Sequence, residues 1–153
     1  MPTLLLALAV FCTGLYAGSM LIFRTGIMPA LARLTDEEFV TVMRRVNEYV
    51  PRVVFLIVFA GVVLLPAAAL AVPADGGWGA QRRLVLAGLL CAVLNHVVTM
   101  AGNVPLNNAL AASEGSAPAR VRAAFESRWN TFHLLRTLLI TAAFALLVAA
   151  AAV

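Results

Sequence analysis

Lysine is absent from this 153-residue chain, and charge of either sign is scarce: Asp, Glu, Lys and Arg together make up 12% of it. A soluble domain carries roughly twice that share, so too little polar chemistry remains to cover a wetted surface, and a water-soluble globular fold is excluded. Cysteine is nearly absent too. Cys12 and Cys91 each sit inside an apolar run, where a free thiol behaves as a small hydrophobe, which excludes a disulfide framework. No basic helix face with interleaved aromatics stands clear of the apolar runs, so the net charge of +4 does not mark a nucleic-acid binder. No Arg or Lys precedes the first apolar run, and its uncharged stretch is longer than a signal-peptide core, so a retained helix is expected there.

What is present is hydrocarbon: 63% hydrophobic residues and a mean hydropathy of +0.97. Residues 3–23, 53–74, 84–105 and 129–153 are each long and apolar enough to cross a bilayer, which takes about 20 residues. The expected fold is all-α, a single-domain integral membrane four-helix bundle. Residues 35–50 break the apolar pattern. Thr35 or Asp36 can cap a helix, Glu37 and Glu38 suit its first turn, and Phe39, Val42, Met43, Val46 and Val50 recur at helical spacing. This is an amphipathic helix between the first and second spans. A second amphipathic stretch, 119–128, precedes the fourth span. Pro66 and Pro105 are expected to kink or end their helices. Gly14 and Gly18 form a GxxxG face suited to close helix approach and to a homo-oligomer contact. Trp78 is placed as an interfacial anchor.

Eight of the eleven arginines fall in the two long loops and only Arg82 and Arg83 on the opposite side. The positive-inside rule then puts the long loops in the cytoplasm and both termini outside.

Polar groups inside hydrocarbon are costly, so their positions carry the most information. On the third span Asn95, Thr99 and Asn103 are spaced by four, with His96 beside them and Asn107 and Asn108 beyond Pro105. On the fourth, Trp129, His133 and Arg136 fall at i, i+4 and i+7, one face of a helix. Both stripes occupy the long-loop half of the bilayer. Arg136 lies about 10 Å of helix inside Trp129, where an arginine costs about 2.5 to 3.5 kcal/mol. No Asp or Glu lies in any span, so its partners are amide and carbonyl oxygens of residues 103–107, a loop carboxylate such as Glu48, or an anionic ligand. The alternatives are snorkelling of Arg136 to the interface, interhelical bonds for the histidines, and asparagines that serve only as polar glue.

The run Gly102-Asn103-Val104-Pro105-Leu106-Asn107-Asn108, followed by Trp129-Asn130-Thr131-Phe132-His133-Leu134-Leu135-Arg136, resembles the anthrone-oxygenase-like family of small four-helix membrane proteins. The resemblance implies oxidation of anthrones to anthraquinones without a metal or flavin. An anthrone C–H is acidic and its carbanion reacts with oxygen directly. The residue types and their placement are compatible with that chemistry: His133 as base, Arg136 with Asn103 or Asn107 on the developing oxyanion, and Trp129 stacking on a flat substrate. Asn95, Thr99, Asn108 and His96 are the further substrate-contacting candidates, and the expected ligand is a hydrophobic small molecule.

No cofactor is expected. Haem between His96 and His133 is a weaker alternative, because their depths differ by about 7 Å, and no His-x-x-x-His or clustered Cys suggests a metal. A binding or accessory membrane protein is the alternative to an enzyme. Transport ranks last, for want of an internal repeat or paired broken helices.

Overall fold

The computed structural model describes residues 3–73 and 79–153; Trp78 and its turn lie outside them. Among the described residues every regular element is helical. We number them α1 (Thr3–Leu31), α2 (Asp36–Tyr49), α3 (Val53–Ala71), α4 (Ala80–Ala111) and α5 (Pro118–Ala151). Helices α1, α3, α4 and α5 are long and apolar enough to span a membrane. They run alternately up and down in a ring, each packed on its two neighbours, which is the four-helix bundle of a multi-pass membrane protein.

Two boundaries differ from the sequence expectation for one shared reason. The first span does not end at Phe23, nor the third at Pro105; both helices continue, through a π turn at Phe23–Ile27 and another at Thr99–Asn103. In each case one residue precedes a proline: the Met28 amide donates to the Phe23 carbonyl and the Val104 amide to the Thr99 carbonyl, five residues back, just before Pro29 and Pro105. A proline ring collides with the carbonyl four residues earlier in an α turn. One extra residue in the turn moves that carbonyl aside, and the helix survives. Pro66 likewise sits inside an unbroken α3. The amphipathic stretch 119–128 is no separate helix but the first turns of the 34-residue α5.

Lengths set the layout. Helix α3 has 19 residues, about 28 Å, which matches a hydrocarbon core of about 30 Å. The other three run 29 to 34 residues, and their surplus extends on the long-loop side. There α2 docks, and Met28, Leu31, Phe39, Val40, Met43, Leu110, Phe125 and Trp129 close a core of their own. A second cluster around Tyr16, Met20, Val62, Ala92 and Ile140 fills mid-membrane, and a third around Leu6, Val85 and Leu147 fills the far end.

Helix α2 starts with a capping box: the Thr35 backbone amide donates to Glu38 Oε2 at 2.9 Å, and the Glu38 amide to Thr35 Oγ1 at 3.4 Å. Two arginines fix it to the bundle. Arg44 donates to the Leu110 carbonyl at 3.0 Å and to Ser113 Oγ at 2.7 Å, closing the end of α4. Arg122, on α5, donates to the carbonyls of Leu34 and Ala32, pairs with Asp36 and Glu126, and lies over the Phe39 ring. The close approach at Gly14 is made within the chain, since a Cβ there would meet the Phe144 ring at 2.9 Å; nothing lies within 4 Å of one at Gly18.

Candidate functional site

Helix α5 sets the site by spacing. Positions 129, 133 and 136 share one inward face, and their side chains form a stack: the Trp129 and His133 rings are 4.8 Å apart and nearly parallel, and the Arg136 guanidinium lies 5.3 Å from the Trp129 centroid. Arg136 is 8% exposed. Its Nε donates to His133 Nδ1 at 3.0 Å, while His133 Nε2 meets the Met20 carbonyl at 3.2 Å. These two contacts specify the tautomer with hydrogen on Nε2.

The expectation that Arg136 reaches residues 103–107 is met by position and not by a bond. Asn103, Val104, Asn107, Thr99 and Arg136 line one cavity of about 120 Å³ together with Trp129, yet the guanidinium's hydrogen bond among the described residues goes to His133. Its two terminal NH₂ groups, four donors in all, find no protein acceptor among the described residues. Glu48 is not its counter-ion; that carboxylate pairs with Arg45 at the surface. A cation so buried without a carboxylate is the arrangement that an anion stabilises.

Helix α4 supplies the opposite wall. Asn103 Nδ2 donates to the Trp129 carbonyl at 3.2 Å and Asn95 Nδ2 to the Arg136 carbonyl at 2.7 Å. Because a carbonyl accepts, each amide must turn its nitrogen toward it. The Asn103 side-chain oxygen, on a residue 1% exposed, is then left without a partner, as is that of Asn95. Asn107 Oδ1 accepts from Trp129 Nε1 at 2.8 Å, fixing the indole. Thr99 donates to the Asn95 carbonyl at 2.9 Å.

Four sequence candidates fall outside the cavity lining, and fully buried Asn95 is one of them. His133 is fully buried behind Arg136 and Trp129, outside the cavity lining. Asn108 is exposed, in an outer mouth with Arg44, Glu48 and Glu114. His96 faces α3, stacked on Phe59 at 3.7 Å with its nitrogens 2.9 Å from the Ala92 and Phe59 carbonyls. Axial ligation by this pair would require both rings to abandon these contacts. Among the described residues no three of His, Cys, Asp and Glu come together.

Two residues escaped the sequence reading. Asn47 of α2 lines the cavity with a buried Nδ2 that has no partner; an asparagine on the inner face of an otherwise apolar α2 stripe was the available signal. Tyr16 of α1 is 1% exposed, beside Thr99 and within electrostatic range of Arg136, and its hydroxyl closes no hydrogen bond. A tyrosine inside an apolar span gives little hint of this.

Compared with known proteins, residues 39–146 match the profile of a family described as anthrone oxygenase. The match takes in most of α2, all of α3 and α4 and most of α5, and with them every cavity residue except those of α1. No curated protein and no solved structure matches the chain.

Proposed function

The chain belongs to the anthrone oxygenase family, and on that premise we propose that it is a membrane-embedded oxygenase acting on a hydrophobic aromatic of the anthrone type. The observation that carries the proposal is Arg136: buried, without a carboxylate partner among the described residues, and lining a cavity. The anion an anthrone forms on losing a methylene proton places charge on its ring oxygen. Guanidinium donors held in a water-poor site stabilise such an oxyanion strongly. Asn107 steadies Trp129 for stacking, and His133 holds the guanidinium by accepting from Nε. With both nitrogens engaged, His133 serves better as a positioning residue than as the base, and the proton lost by the bound anthrone passes to water.

The anion is itself the reductant of dioxygen. One oxygen atom replaces the two methylene hydrogens as a ketone and the other leaves as water, so anthrone and O₂ give anthraquinone and H₂O with no resident cofactor in the balance. The long loops are cytoplasmic in this reading, and the substrate is held on that side.

The test is oxygen uptake by purified protein in micelles with an anthrone. Wild type consumes oxygen, and Arg136→Leu, folded by circular dichroism, loses about 10²- to 10³-fold in turnover, the usual cost of removing an oxyanion donor. A second reading, a non-enzymatic membrane protein, has one observation in its favour: Asn95 and Asn103 bond backbone carbonyls of α5, as interhelical glue would. Wild-type protein inert toward a panel of anthrones would favour it.

A further inference from the structure

A cavity of about 120 Å³ is smaller than the roughly 300–1,000 Å³ of ordinary small-molecule sites. A flat multi-ring ligand with its oxygen on Arg136 must therefore extend beyond it. Two spaces adjoin. Across Asn47 and Asn107, between α2 and α4, lies a mouth of about 310 Å³ bounded by Arg44, Glu48 and Glu114. Across Val50 and Phe55, between α1 and α3, lies a cleft of about 440 Å³ walled by Leu15, Tyr16, Val54 and Val58.

We propose that the α1/α3 cleft is a second, apolar subsite that receives the ring body of a flat aromatic ligand whose oxygen end bonds Arg136, and that the ligand enters it from the bilayer. The inference rests on the oxyanion reading of Arg136 but not on oxygenation. Chemistry separates the two spaces. Rings placed in the polar mouth would strip water from three charged side chains, whereas in the cleft they meet hydrocarbon. Phe55 is the wall common to cavity and cleft, and its ring lies parallel to that of Phe59 at 5.9 Å, a flat face for stacking. Tyr16 stands edge-on to both, at 5.8 and 5.6 Å. Its buried hydroxyl lies beside Thr99 of the inner cavity, at the polar end of this wall. At the rim Arg52 lies over the Tyr49 ring, 4.2 Å from its centroid, at the start of α3, where headgroups begin. The cleft opens outward between two spanning helices, so lipid is its solvent.

The test uses anthracene-9-carboxylate, an anion on a three-ring body, with full-length protein in micelles. Binding is read as energy transfer from Trp129 in a Trp78→Phe background. Wild type binds; Ser19→Phe and Val58→Phe, which fill the cleft without touching the inner cavity, each weaken binding by about tenfold or more, equivalent to about 1.4 kcal/mol. Ala111→Phe, which fills the polar mouth, leaves it unchanged. Two cleft variants guard against misfolding of either, checked by helical circular dichroism and elution position. Absence of binding by wild type, binding unaffected by both folded cleft variants, or weakening by Ala111→Phe alone overturns the subsite. Arg136→Leu binding as tightly as wild type would instead remove the oxyanion reading. Intact binding without oxygen uptake would remove the oxygenase and leave the subsite standing.

Discussion

At the scale of single residues, the site turns on how one guanidinium is held. Arg136 gives Nε to His133 and keeps two NH₂ groups for the cavity. A lysine there supplies one charged nitrogen and no fork, so it cannot serve His133 and a ligand oxygen in the same geometry. Arg136→Lys should therefore lose turnover nearly as far as Arg136→Leu, and oxygen uptake by the two variants compares them directly. His133 gives a complementary test. His133→Phe removes the acceptor and should lower kcat with little change in KM; His133→Gln restores an acceptor of similar reach and should recover part of the loss. If Gln and Phe behave alike, His133 does not act through Arg136. Much of this was legible in sequence, because the i, i+4, i+7 spacing of Trp129, His133 and Arg136 fixes a common face whatever the tertiary detail. Partner choice was not. Whether Arg136 bonds His133 or Asn103 depends on ångström-scale offsets between α4 and α5 that spacing does not encode, and Tyr16 and Asn47 enter the site through helix rotations that no local pattern records.

At the scale of elements, the π turn of α4 and the clamps on α2 make separate demands. Gly102 lies in that turn where a Cβ would meet the Phe132 ring at 2.6 Å, below any normal contact. Gly102→Ala should cost about 1–3 kcal/mol, the usual range for overpacking, seen as a lower thermal midpoint in detergent. Helix α2 depends on Arg122, whose bonds to the 32–36 turn tie its start to α5. Hydrogen bonds from a charged group contribute about 1.5–3 kcal/mol, so Arg122→Ala should free α2 to proteolysis before the spans unfold. Acid should act on the same helix. Glu38 accepts from the Thr35 hydroxyl and backbone amide, which hold its pKa below the ordinary 4.5. A depressed folded pKa contributes stability above the ordinary value and loses it as pH falls through the folded one. Amide protection in the first turn of α2 should therefore fall on acidification below about pH 4.5, and a Glu38→Gln variant should lack that step. The sequence located this helix by its cap and its apolar stripe. It ended α1 at Phe23, before Arg24, and α4 at Pro105, where in each case a π turn carries the helix on.

At the scale of the whole molecule, orientation is the testable property. With eight of eleven arginines in the two long loops, a cysteine at Gly76 should be labelled by a membrane-impermeant reagent only from outside, and one at Ser116 only after the cytoplasmic side is opened. The reverse pattern would invert the assignment.

The shortness of α3 makes the molecule a gauge of its own bilayer. The other three spanning helices continue past the slab into the layer where α2 docks, but α3 has about 28 Å of hydrocarbon and then meets Arg52 and Pro51 at one end. That end is also the rim of the cleft beside Tyr49 and Val50. In a membrane a few ångströms thicker, mismatch is met by tilting or by drawing lipid inward, each at fractions of a kcal/mol per ångström. The rim would then sink below the headgroups instead of lying level with them. Acyl-chain length would thereby tune how readily a lipid-dissolved molecule finds its way in, with no change to any residue of the protein.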